Sequence, residues 1–274
     1  MKYLFICILL FSLTNANSQN DENYYEIIYK SSSMTRNSYK QPKEAYMSLH
    51  VNGNKSIYQW ETERKLDSIR SNRETTLEDL NRYFSVERYA IEINNNKLKF
   101  YDVISDIEYQ YEENLNFKWK LKPETKIIKG YKCNKATVNY GGRDWEAWYT
   151  LTLPIDAGPY KFKGLPGLII KITDSTNSYN FELISIKQKD CLLMTKAFHH
   201  SKENKRVNID RNKYNRLRFA YNSLGYKARM DLLNKKNDGS MVLEFTNTDG
   251  SNPFAGDRNI DRSKNNNYIE IDHD

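Results

Sequence analysis

Apolar and polar residues alternate with a period of two through most of the first 190 residues of the chain. The clearest stretch is 145–153, where the odd positions are all apolar and the even positions are polar apart from Trp148. Successive side chains of a strand point to opposite faces, so this pattern indicates strands that bury one face. Turn-forming pairs such as Asn52-Gly53 and Gly141-Gly142 separate these stretches, and short connections favour antiparallel neighbours. We therefore predict a mainly β protein: a single curved antiparallel sheet, arranged as a half-barrel-like meander.

Two segments depart from this period and have the apolar spacing of amphipathic helices. They lie near residues 61–84 and 208–233. Asp210 precedes the second segment and is suited to cap its first turn. We expect one or two helices to cover one face of the sheet.

The connection after residue 153 concentrates proline and glycine. Pro166 and Gly167 occupy the central positions of a predicted type II turn, in which the glycine adopts a positive φ. Trp148 precedes this connection on the polar face of its strand. Either a helix or the loop packs over this ring, or the ring is exposed as a contact residue. Packing is favoured, because large exposed aromatic side chains are uncommon without a function.

The residues of this region resemble the GLPGLI family of exported Bacteroidetes-type proteins, which is named after its hexapeptide. The resemblance rests on Trp148, Gly158, Pro159, Tyr160, Phe162, Gly164, Leu165, Pro166, Gly167 and Leu168. The family has no established activity, so the resemblance implies a structural role for these residues or a contact with a ligand or partner. Near the C-terminus, residues 267–270 match the family's Asn-Pro-Ile-Glu pattern except that Tyr268 replaces the proline. A curved sheet with covering helices is also similar in fold to the LolA/LolB lipoprotein carriers, an analogy that by itself carries no function.

The N-terminus has the pattern of a signal peptide. Lys2 precedes a short apolar run, and small residues near position 18 offer a cleavage site. We predict a leader over 1–18, a β domain over 19–246 and a polar tail over 247–274. The chain is therefore expected to be exported, periplasmic or secreted, and not lipid-anchored, because no lipobox surrounds Cys7.

Two cysteines, Cys133 and Cys191, follow the leader. Export permits a disulfide between them, and two separate thiols are the alternative, since cysteine is often simply buried.

No familiar catalytic or metal-binding motif is present in the sequence. The pair His199-His200 lacks an HExxH or paired CxxC context, and no nucleophile elbow occurs. Asp156 and Asp174 bracket the central loop, but aspartate beside glycine and proline is more often a turn residue. We therefore predict no cofactor, no metal and no catalytic residue.

The segment 196–236 carries twelve Lys or Arg and three Asp or Glu within a chain of net charge +7. In an exported protein this charge favours an anionic membrane surface over nucleic acid. Taken together, the sequence favours a non-enzymatic protein that binds an apolar ligand or a cell-envelope partner. The alternatives are a secreted hydrolase with its site at the 156–167 loop, and a structural component of the envelope.

Overall fold

A computed structural model describes residues 24–34, 42–61, 89–104, 107–189, 206–223 and 270. The described part contains twelve strands and one helix, α1 (Arg211–Ser223). The strands are β1 (Tyr24–Ser33), β2 (Lys43–Asn52), β3 (Lys55–Trp60), β4 (Tyr89–Asn94), β5 (Lys97–Ile104), β6 (Ile107–Asn114), β7 (Lys120–Ile128), β8 (Tyr131–Tyr140), β9 (Arg143–Thr150), β10 (Leu168–Asp174), β11 (Tyr179–Lys189) and β12 (Arg206–Asn208). The prediction of a mainly β protein built on one sheet with a helix is confirmed.

All twelve strands belong to one sheet with the order β12-β6-β5-β4-β3-β2-β1-β11-β10-β9-β8-β7. Strands β1 to β6 form one meander and β7 to β11 a second, and the antiparallel pair β1–β11 joins them. The outermost pair differs from the prediction, because β12 runs parallel to β6. A parallel neighbour requires a long crossover connection, and here the whole second meander lies between the two strands in sequence.

The predicted hairpins form where the turn residues indicate them. Gly53 has a φ of 53° between β2 and β3, and Asn95 has a φ of 55° between β4 and β5. Gly141 and Gly142 both have positive φ between β8 and β9. Left-handed conformations match the twist of two-residue hairpins, so local turn chemistry fixes the register of these strand pairs.

One apolar face of the sheet forms a core that extends across both meanders. Ile27 and Tyr29 of β1 lie at its centre and are fully buried. Along β9 the alternation is as predicted at the buried positions Trp145, Ala147 and Tyr149. The core is rich in aromatic rings, which give a pleated surface large buried areas.

Helix α1 packs on the core face beside β5 and β6. The Asp210 carboxylate accepts a hydrogen bond of 2.8 Å from the backbone N–H of Lys213, so it caps the helix as predicted. Tyr214 is buried, with its ring centroid 5.2 Å from those of both Phe100 and Tyr111. Its hydroxyl donates to Asp102 at 2.7 Å, so polar and apolar contacts together fix the helix on the sheet.

Several predictions concern residues outside the described ranges. The signal peptide at 1–18 and nearly all of the helix at 61–84 lie there, as does the tail at 247–274 apart from Glu270. The described helix lies within the predicted 208–233 segment. No described helix is both long enough and apolar enough to cross a bilayer.

Candidate functional site

The loop between β9 and β10 folds onto the core face instead of extending into solvent. Tyr160, Phe162, Leu165 and Leu168 are almost completely buried, as are Gly158, Pro159 and Gly167, whereas Gly164 and Pro166 are exposed. Phe162 is the centre of an aromatic cluster in which its ring centroid lies 4.7 Å from that of Trp145. The residues that carry the GLPGLI resemblance therefore come together mainly as packing residues of one loop.

Gly167 differs from the type II turn that the sequence predicts, because its φ is not positive. Instead, a Cβ at this position would overlap the backbone carbonyl oxygen of Thr150. Gly158 is confined in a similar way, since a Cβ there would lie 2.6 Å from Ile169 Cδ1. These glycines are required for close approach of the loop to its two flanking strands.

Lys161 lies at the middle of this loop and is completely buried. Its ammonium lies 2.6 Å from Glu113 Oε1 of β6 and 2.6 Å from Glu270 Oε1, and it donates to the Tyr111 hydroxyl at 2.9 Å. Arg211 of α1 contacts the other oxygen of Glu270 at 2.7 Å. We call Glu113, Lys161, Arg211 and Glu270 the buried charge cluster. Sequence analysis did not identify it.

The protonation states of this cluster favour its ionic contacts. Burial alone would raise the pKa of Glu270, but the charges of Lys161 and Arg211 hold it at about 2. Burial, reinforced by the Glu270 charge, raises the pKa of the Tyr160 hydroxyl, which donates to Glu270 at 2.6 Å. The cluster therefore contains an ionised carboxylate enclosed by donors. Lys161 and Glu270 are almost completely buried, and the contacts of the cluster join the loop, the sheet, the helix and Glu270.

Asp156 and Asp174 make separate sets of contacts. The Asp156 carboxylate accepts the N–H of Gly164 and lies 3.6 Å from the Lys163 ammonium, so it stabilises the loop. The Asp174 carboxylate is buried and lies 2.9 Å from Arg143 Nη1. It also accepts from the N–H of Tyr179 at 2.7 Å. Both act as turn residues, and they do not form a catalytic carboxylate pair.

Trp148 is buried on the outer face of the sheet, the face opposite the core, under lysine side chains. The Lys126 ammonium lies 3.7 Å from its ring centroid, a cation–π contact. Its indole N–H donates to Glu146 Oε1 at 2.7 Å, and Lys135 lies 2.9 Å from Glu146 Oε2. The ring is packed, but side chains of β7 and β8 cover it instead of the helix or loop that the sequence predicts.

Of the predicted disulfide pair, Cys133 has a buried thiol, and burial raises its pKa. Cys191 lies outside the described residues, as do His199 and His200. Within the described ranges, no three His, Cys, Asp or Glu residues are grouped so that they could hold a metal ion. The disulfide stays a prediction.

The basic segment 196–236 is described only over 206–223, where several charges face carboxylates of the sheet. Arg218 Nε lies 3.4 Å from the buried Asp102, and Arg206 pairs with Glu108. Part of the positive charge is therefore neutralised within the fold. Contact with an anionic membrane stays a prediction.

An open groove lies at the β7–β9 end of the sheet, on the outer face. Its volume is about 430 Å³, within the range of roughly 300–1,000 Å³ typical of small-molecule sites. We call it the outer groove. It is lined by Lys118, Lys120, Thr137, Val138, Asn139, Asp144, Trp145, Glu146 and Ser175. The Asn139 amide donates to Asp144 Oδ1 at 2.9 Å. Seven of the nine lining residues have polar side chains, so the groove can exchange hydrogen bonds with a polar ligand, while carbon atoms contribute most of its exposed lining.

A sequence model of the family described as N-glycanase peptide, N-terminal domain, matches residues 84–215. A solved structure of PNGF-II in a P21 crystal is 20% identical, with a TM-score of 0.51 over 71% of this chain and 33% of that one. A second structure of PNGF-II, in a C2 crystal, is 19% identical, with a TM-score of 0.49 over 78% of this chain and 33% of that one. This chain thus spans about a third of the length of the structures it matches. No protein with a curated description matches it.

The expectation of a non-enzymatic protein that binds an apolar ligand or an envelope partner is wrong. The match to a glycanase-related domain points instead to the hydrolase alternative. A physical reason agrees with this correction, because the apolar face of the sheet is filled by its own side chains and by the loop around Phe162. The same packing buries most of the 156–167 loop, and among the described residues the outer groove is an open site lined mostly by residues with polar side chains.

Proposed function

We propose that this chain acts in the hydrolytic removal of N-linked glycans from proteins, as an exported domain that engages the glycan-bearing substrate. The observation that carries the proposal is the match of residues 84–215 to the N-terminal domain of an N-glycanase. The matched segment contains every residue that lines the outer groove. The leader-like N-terminus supports export, where glycoproteins of the surroundings are accessible.

The proposal assigns the domain to substrate engagement for two reasons. The chain corresponds to about a third of the related structures, and Lys161 and Glu270 of its buried charge cluster are almost completely buried. The outer groove, in contrast, is open and is lined mostly by residues with polar side chains. A domain of this kind would raise the local concentration of glycoprotein for the hydrolytic step, because a tethered binding event becomes intramolecular.

The test compares one soluble protein with and without its N-linked glycan. The full chain is immobilised, and both forms are passed over it at physiological salt, where exposed charges are screened over about 8 Å. We expect the glycosylated form to bind at least about tenfold more tightly. The mass of the glycoprotein is measured after incubation, and loss of the glycan mass would also support the proposal by showing hydrolysis by the chain itself. Equal binding of both forms with an unchanged mass would overturn it.

A further inference from the structure

The outer groove has a rigid polar floor that the strand register sets. In the β8–β9 pair, Thr137 lies opposite Glu146 and Asn139 lies opposite Asp144. Directly opposed side chains of an antiparallel pair have Cβ atoms about 4.5–5.5 Å apart, so these four polar groups form a compact patch. Their positions depend on the sheet and not on a loop.

The acidic side chains of this patch are held in place by hydrogen bonds and an ion pair with neighbouring side chains. Glu146 is fixed from one side by the Lys135 ammonium at 2.9 Å and the Trp148 indole N–H at 2.7 Å. The Asp144 carboxylate accepts one hydrogen bond from Asn139. A carboxylate has about four acceptor positions, so both groups keep capacity to accept from a ligand. Pre-oriented polar groups of this kind lower the entropy cost of binding.

The mixture of charges in the groove selects the class of ligand. Lys118 and Lys120 line one side, and Asp144 and Glu146 line the other. The carboxylates would repel a phosphate or sulfate, and the ammonium groups would repel a cation. A neutral molecule with many hydroxyl groups suits this surface, because each hydroxyl can donate to a carboxylate and accept from an ammonium or amide.

We propose that the outer groove is a carbohydrate-binding site that takes the neutral sugar residues of an N-linked glycan, with Asp144, Thr137 and Asn139 as its hydrogen-bonding floor. This assignment rests on the proposed function for the choice of glycan, whereas the preference for a neutral polyhydroxyl ligand comes from the groove itself.

The experiment is isothermal titration calorimetry of the full chain with N,N′-diacetylchitobiose, the two-sugar unit that joins N-linked glycans to protein. Asp144→Asn retains the oxygen that accepts from Asn139 but turns the other acceptor into a donor. Thr137→Val removes a hydroxyl at constant shape. We expect each variant to bind about tenfold more weakly, because a lost hydrogen bond to a charged or well-placed group has an effect of this size.

The matched control is Glu112→Gln on β6. Glu112 is an exposed carboxylate paired with Lys99 at 3.1 Å, and it does not line the groove. The Glu112→Gln variant should bind chitobiose with the same affinity as the original chain, and all variants should unfold at the same urea concentration. Binding that is insensitive to Asp144→Asn and Thr137→Val would overturn the assignment, as would the absence of heat with chitobiose.

These results separate the two proposals. If the chain retains a glycoprotein through its glycan, and both groove variants retain it equally well, the groove assignment is overturned and the proposed function stays in place. Groove-dependent binding of chitobiose would keep the groove assignment. If the same chain bound the glycosylated and glycan-free proteins equally and left the glycoprotein mass unchanged, the proposed function alone would be overturned.

Discussion

The substitution Lys161→Met tests whether the buried charge cluster holds the loop on the sheet. Methionine has a similar length but no charge, so Glu113 and Glu270 would lose an ammonium that lies 2.6 Å from each of them. Removing one partner of a buried ion pair costs about 3–5 kcal/mol, because the remaining charge is left uncompensated. Domains of this kind are stable by about 5–15 kcal/mol. We therefore expect Lys161→Met to remove a large part of the free energy of unfolding.

The assay is urea unfolding of the full chain, followed by fluorescence of buried tryptophans such as Trp145, which packs against the loop residue Phe162. Lys163→Met is the matched control two residues along the loop. Lys163 donates to the Asn95 carbonyl at 2.7 Å and pairs with the exposed Asp156, and surface pairs contribute about 1 kcal/mol or less. If Lys161→Met cost no more than Lys163→Met, the reasoning about the cluster would be refuted.

Three further predictions concern pH, backbone packing and thiol chemistry. Folding lowers the pKa of Glu270 from 4.5 to about 2, so the carboxylate stabilises the fold above pH 4.5 and that contribution, roughly 3 kcal/mol, is lost as the pH falls toward 2. The free energy of unfolding of Glu270→Gln, measured with urea, should vary less with pH between 4.5 and 2 than that of the original chain. The same pH dependence in both proteins would contradict the assignment. Gly167→Ala should lower the urea midpoint by more than Gly53→Ala, because only the first Cβ would overlap backbone; a larger loss from Gly53→Ala would be inconsistent with this. Burial should make the Cys133 thiol slow to react with iodoacetamide in the folded chain. If Cys133 forms the predicted disulfide with Cys191, mass spectrometry should detect no alkylation of Cys133 after the chain is unfolded without reductant. Alkylation of Cys133 under these conditions would exclude the disulfide.

The strands and most hairpins could be predicted from the sequence because their signals are local. A period of two identifies the buried face of β9, and a glycine or asparagine in a turn adopts the conformation that its residue type favours. Pairings between distant segments have no such signal. The parallel pair β12–β6 depends on a crossover whose direction the alternation does not encode.

The buried charge cluster was missed although part of its signal was present. Along β6, Glu113 has the same parity as the buried Tyr109 and Tyr111. A carboxylate on the apolar face of a strand indicates a buried partner, since an unpaired buried charge is strongly unfavourable.

Lys161 lies between Tyr160 and Phe162, an alternation that suggests a short ribbon with one aromatic face. However, Tyr160 has a φ of 56°, and the loop does not follow a strand path. Its partners in the cluster come from distant parts of the chain, since Glu113 lies on β6 and Glu270 lies near the C-terminus. Only the assembled fold brings these groups together.

The position of β1 has a consequence for how the chain reaches its native state. Its partner β11 is the last but one of the described strands, so one edge of β1 has no neighbour until about 145 residues have followed it. Contacts so distant in sequence are slow to form. A chain truncated before residue 179 would expose the central edge of a half-finished sheet, a surface prone to self-association.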